Sequence, residues 1–154
     1  MKTPNLIKRV FIFIKKFLNN FKITVGFKEN VKLSIEGLEY NFIATMDTGN
    51  NGIVPTLGVE ELIDNSEYII FLINGNKHKL RKCGVSNPHV GNIVHKRPII
   101  QIDYIEMCNR RINNCYIAIT DKRNKSTKLL LNREIMSRLK LIIDPSIELT
   151  KNIK

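Results

Sequence analysis

The chain has no tryptophan, and only 7% of its residues are aromatic. A surface that stacks successive bases of a single strand needs more aromatic faces than that. No helix-turn-helix, zinc-finger or aromatic ribonucleoprotein signature occurs either, so no specific nucleic-acid partner is expected. No apolar run approaches the roughly 20 residues that a spanning helix requires. There is no Cys-x-x-Cys, no His-Glu-x-x-His, and no glycine-rich phosphate loop ending in Gly-Lys-Ser/Thr. His78, Cys83, His89 and His95 are scattered over a hairpin and a loop, so they read as surface or packing residues. No metal and no cofactor are expected. Cysteine is scarce and odd in number: Cys83, Cys108 and Cys115. Free thiols in a reducing compartment are the expectation, although Cys108 and Cys115 could face each other across a hairpin. Lys15 and Lys16 interrupt the only candidate leader region, so a cytoplasmic or virion-associated location is expected. Acid is also in deficit: 14 Asp and Glu against 25 Lys and Arg give a net charge of +11. Such a field attracts polyanions. Lys, Asn and Ile are abundant throughout, as AT-rich coding alone would produce, so charge by itself names no partner.

What is present is a chain of 154 residues, 43% hydrophobic, long enough for one domain and an appendage. Residues 1–20 are the appendage. Leu6, Ile7, Val10, Phe11, Ile14, Phe17, Leu18 and Phe21 recur at helical spacing, with Lys8, Arg9, Lys15, Lys16 and Lys22 mostly between them. This is a basic amphipathic helix with three open destinations: the domain's own core, a partner protein, or an anionic membrane surface. From Phe21 the period changes to two. Strands are predicted at 22–27, 32–35 and 40–45, with Glu36-Gly37 as a hairpin turn. Residues 59–63 read as a helical turn. Strands at 67–73 and 77–82 flank Asn74-Gly75-Asn76, another hairpin signal. A further hairpin pairs 92–105 with 111–120 through Asn109-Arg110. A short strand at 127–131, a helix at 133–139 and a strand at 141–144 complete a domain over 21–148, followed by a tail, 149–154. Many short strands at even spacing make this an all-β barrel or sandwich.

The sharpest motif is Asp47-Thr48-Gly49, which ends the apolar run Ile43 to Met46. A carboxylate there suits peptide hydrolysis if a second one comes close. Two carboxylates at roughly 3 Å share a single proton. The ionised one takes a proton from water, and the protonated one donates to the scissile carbonyl. One chain holds one Asp-Thr-Gly, so the pair requires a homodimer. Thr48 would bond across the two-fold axis, and Gly49 would let the backbone approach the carboxylate without a Cβ in the way. Leu131-Asn132-Arg133, at the end of the second apolar strand, would support that loop. Asn74, Gly75 and Asn76 would be a flap that closes over substrate and adds it as a strand.

Taken together, these motifs resemble the retropepsins. They are most similar to the bacterial and phage branch labelled "ATP-dependent zinc protease", found beside ribosomal-protein glutamate ligases. The likeness rests on Met46-Asp47-Thr48-Gly49, Lys96-Arg97-Pro98-Ile99-Ile100, Thr120-Asp121-Lys122-Arg123, Leu130-Leu131-Asn132-Arg133 and Ile143-Asp144-Pro145-Ser146, within residues 22–148. It implies a retropepsin-like acid-protease barrel with one short C-terminal helix, aspartic endopeptidase activity, and an acidic polypeptide as one substrate class that the positive charge would suit. Two departures stand out. Asn50 follows the Asp-Thr-Gly where the family has Ala or Ser. Asn132 stands where the family has Gly, and is expected to keep a left-handed turn. These departures and the N-terminal helix keep a second expectation open: an inactive retropepsin-fold structural or binding protein, such as a phage or virion component.

Overall fold

The structure, a computed structural model, describes residues 21–49, 52–90, 92–121 and 128–148. The expected helix over 1–20 and the tail lie outside these residues.

Three two-residue turns with both residues at positive φ organise the chain. Glu36 (φ 52°) and Gly37 (φ 77°) join β2 (Lys28–Ile35) to β3 (Leu38–Met46). Asn74 (φ 49°) and Gly75 (φ 77°) join β6 (Tyr68–Ile73) to β7 (Asn76–Arg81). Cys108 (φ 51°) and Asn109 (φ 60°) join β11 (Arg97–Met107) to β12 (Arg110–Asp121). Such turns twist with the strands they connect, which is why each closes a tight hairpin. The last one lies a residue earlier than Asn109-Arg110. Cys108 therefore occupies the turn while Cys115 pairs with Ile102, so the two thiols do not face each other. All three cysteines are free.

Residues 59–63 are not helical. Val59 ends β4 (Thr56–Val59) and Glu61 opens β5 (Glu61–Asp64). The Glu60 amide donates to the Leu72 carbonyl, and β5 then pairs along β6. Sheet pairing overrides the local helical pattern.

Six strands close a barrel in the order β12, β4, β13 (Leu129–Leu131), β3, β2, β11, with β11 returning to β12. Its interior is packed with aliphatic side chains: Leu33, Ile35, Leu57, Ile100, Ile105 and Ile117 are all fully buried. Strand β3 shows the period of two, with Tyr40, Phe42, Ala44 and Met46 buried and Ile43 half exposed. Strand β8 (Gly84–Ser86) adds to the start of β11.

A second sheet, β5-β6-β7, packs on the barrel through Ile69, Phe71, Ile73 and His78. His78 is a packing residue, 1% exposed. Its ring stacks on Phe71, Nε2 lies 2.7 Å from the Tyr40 hydroxyl, and Nδ1 lies 2.8 Å from Glu36 Oε2.

The chain then turns through α1 (Arg133–Arg138), which stops a residue before the predicted end, with Leu139 as C-cap. It continues into β14 (Leu141–Ile143), which runs parallel to β1 (Ile23–Val25). Behind that pair the segment 144–148 crosses the start of β2, its Ile147 and Glu148 carbonyls accepting from Phe27 and Lys28. Gly26 sits under this crossing; a Cβ there would stand 2.5 Å from the Ile147 oxygen.

Candidate active site

Strands β3 and β13 are parallel neighbours, with Leu129, Leu130 and Leu131 opposite Ala44, Thr45 and Met46. Parallel neighbours end side by side, so Asp47 leaves β3 where Asn132 leaves β13. The second motif then grips the first loop at three points. The Asp47 amide donates to the Leu131 carbonyl at 3.0 Å. Arg133 directs Nη2 (2.7 Å) and Nε (3.2 Å) to the Thr48 carbonyl. Asn132 Nδ2 donates to the Gly52 carbonyl beyond the loop. Two motifs separated by more than 80 positions in sequence thus form one structure.

Asn132 is fully buried and uses both ends of its amide. While Nδ2 holds Gly52, Oδ1 accepts from the Ile135 amide at 3.3 Å and caps α1. Its backbone is extended, φ −88° and ψ 170°, so the expected left-handed turn is absent. The side chain rather than an unusual backbone suits this position to asparagine.

Asp47 is half-buried, and Thr48 and Gly49 are exposed. Among the described residues the Asp47 carboxylate makes no ion pair or hydrogen bond. A Cβ built on Gly49 would lie 3.8 Å from Asp47 Oδ1, an ordinary contact. Gly49 borders the carboxylate, but within one chain the space does not demand glycine. Beside the loop lies a cleft of about 600 Å³ bounded by Lys22, Thr48, Arg133, Met136, Lys140 and Ile143. It opens between α1 and β14, next to the exposed Thr48.

The expected flap is elsewhere. The Asn74 and Gly75 amides both donate to the Glu60 carboxylate, at 3.1 and 3.3 Å, and Lys128 Nζ lies 3.5 Å from the same group. Those contacts, led by the Gly75 amide, hold the Glu60 carboxyl below the ordinary glutamate range. Glu60 follows the end of β4 that is remote from Asp47, because Thr56, at the other end, pairs with Leu130. The structure does not bring Asn74, Gly75 and Asn76 to the Asp-Thr-Gly loop, and the amides a substrate would use are already engaged.

A different hairpin carries exposed apolar side chains. The ribbon of β8 and β11 continues through the His95 amide to the Pro88 carbonyl into β9 (His89–Val90) and β10 (Ile93–Val94). Ile93 is 63% exposed, and Val85 and Val94 are also open to solvent. Gly91-Asn92 between two short apolar runs was a readable hairpin signal that the longer predicted strand from Asn92 obscured. At the root of this ribbon Arg97 Nη1 donates to Thr56 Oγ1 at 3.3 Å.

Among the described residues no three His, Cys, Asp or Glu side chains gather as a metal site, and no helix is long and apolar enough to cross a membrane. No family model and no curated protein matches the chain. Among solved structures it is similar to Lpg0085, a protein of unknown function (DUF785) from Legionella pneumophila. The TM-score is 0.63 at 16% identity, over 83% of this chain and 97% of that one. At that identity the likeness shows the fold alone.

Proposed function

We propose that the chain is a retropepsin-like aspartic endopeptidase that acts as a homodimer. The observation that carries this reading is the grip of Leu131, Asn132 and Arg133 on Asp47-Thr48-Gly49 at the shared end of two parallel strands. It holds a half-buried carboxylate, without a partner among the described residues, beside backbone groups of Asp47, Thr48 and Gly52 that the second motif ties down. In the dimer, Asp47 of each protomer shares one proton with its counterpart; one activates water and the other polarises the scissile carbonyl. The cleft between α1 and β14, with Met136, Leu141 and Ile143 in its wall, lies where a second protomer would reach Thr48. The β9–β10 hairpin, rather than the β6–β7 hairpin, is the arm that covers substrate. The exposed apolar side chains of Val85, Ile93 and Val94 suit that task.

The test combines mass and turnover. Sedimentation should give a dimer for wild type and Asp47→Asn alike. Wild type should cleave an unstructured acidic protein at mildly acidic pH, and Asp47→Asn should lose at least about 10³-fold in rate, as removal of an essential acid–base group does. Cleavage that survives in Asp47→Asn would end the proposal. The second reading is an inactive binding protein of this fold, which Asn50 after the Asp-Thr-Gly and Asn132 in the second motif keep open. That reading predicts a stable assembly inert to every peptide.

A further inference from the structure

Among the described residues Arg97 makes no ion pair. It is half-buried, and its Nε is buried with no hydrogen-bond partner. Its one described bond runs from Nη1 to the hydroxyl of Thr56, itself 2% exposed. Burial lowers its basicity. A desolvated charge left unpaired costs a fold several kcal/mol in general, so such groups are ordinarily paired.

Among the described residues no carboxylate pairs with it. All 14 Asp and Glu side chains fall within the described residues. The ion pairs among these residues go to Lys28, Lys32, His78, Lys82, Arg111 and Lys128, never to Arg97. The remaining segments contribute only neutral and basic side chains. A carboxylate supplied by another molecule would satisfy the buried Nε and the guanidinium charge together.

Position says what it would serve. Thr56 pairs with Leu130, and Leu130 with Thr45, two residues before Asp47. Two strand spacings and two residues of rise put the anchor of Arg97 about 12 Å from Asp47 along the sheet. That is about the span of three to four residues of an extended peptide. Arg97 also stands at the root of the ribbon that carries β9 and β10.

We infer that Arg97 is a carboxylate-binding site that pairs with an acidic side chain of an extended polypeptide, a few residues from the bond held at Asp47. A guanidinium suits this because it grips a carboxylate with two parallel N–H bonds. Its place along a substrate path rests on the peptidase reading; the anion site itself does not.

The experiment measures binding and stability on the full chain carrying Asp47→Asn, so that turnover does not intrude. The probes are fluorescent (Glu-Gly)3 and (Gln-Gly)3 peptides, with free glutarate as competitor. The Glu peptide should bind at least about tenfold tighter than the Gln peptide. Arg97→Gln should bring that ratio to about one, and Arg97→Lys should keep part of it. The unliganded Arg97→Gln protein should melt no lower than its parent, because a desolvated charge has been removed. A structural arginine would behave oppositely, so a fall of several degrees, or an unchanged peptide ratio, would overturn the inference. Glutarate binding that depends on Arg97 without discrimination between the peptides would support the anion site and assign it to small free acids. The two proposals fail separately. Hydrolysis by wild type with a ratio blind to Arg97 removes the anion site alone. A ratio that collapses in Arg97→Gln, in a protein that hydrolyses nothing, removes the peptidase alone.

Discussion

Asn132 performs two tasks with one side chain, and both can be measured. Its Oδ1 caps α1 and its Nδ2 holds Gly52 across the Asp47 loop. Asn132→Ala should lose both, a destabilisation of about 1–3 kcal/mol from a missing cap and a missing buried bond, read from the urea midpoint. Asn132→Gly should retain more of the cap but equally lose Gly52. If both variants unfold at the wild-type midpoint, the two bonds contribute nothing. Asn132 was legible as part of a motif because it follows an apolar strand and opens a helix. Its extended backbone was not, since a sequence names a residue's tolerance for a conformation and not whether the conformation is used. Arg97 shows the same limit. It was visible as part of Lys96-Arg97-Pro98, yet the absence of an ion pair among the described residues depends on where all 14 carboxylates come to lie.

Hairpins divide into those whose sequence gives the turn and those whose turn has a further partner. Glu36-Gly37 and Asn74-Gly75 announced themselves, because few other pairs accept two positive φ angles. Cys108-Asn109 was misplaced by one residue because no glycine marks it. Where a hairpin tip ends up is a tertiary fact, and Asn74-Gly75 is held by Glu60, a residue read beforehand as part of a helical turn. This contact makes a pH prediction. Glu60 ionises more easily folded than unfolded, so the tether is complete above the unfolded glutamate range and is lost as pH falls through the lower folded value. The Gly75 amide shift, followed by NMR, should titrate with a midpoint below the ordinary glutamate value of about 4.3, and Glu60→Gln should abolish the titration. A midpoint at or above that value would show that the carboxylate is not bound by the tip.

At the level of the whole molecule, charge and association oppose each other. Each protomer carries +11, and Lys22, Arg133 and Lys140 border the cleft where the partner is proposed to dock. Like charges brought together are screened by salt. The proposed dimer should therefore tighten between about 0.05 M and about 0.5 M salt, where the Debye length falls from roughly 14 Å to about 4 Å. Sedimentation at both salts measures this. A dimer that loosens with salt would mean that opposite charges hold the interface and that the cleft is not its centre. The all-β character of the barrel was legible in the period-two pattern. Its closure was not, because no single strand records which two others it will lie between.

That closure has a consequence for how the protein is made. Strand β13 fills the gap between β3 and β4, yet it is synthesised after nearly all the rest of the domain. Until residues 129–131 leave the ribosome, a nascent chain holds two hydrogen-bonding edges open beside an apolar interior. Such edges recruit other chains, and pairings so distant in sequence form slowly. A polypeptide interrupted just before Leu129 should accordingly be a substrate for chaperones and degradation. The Asp47 loop, which depends on the same late strand, can acquire its shape only when the barrel is closed.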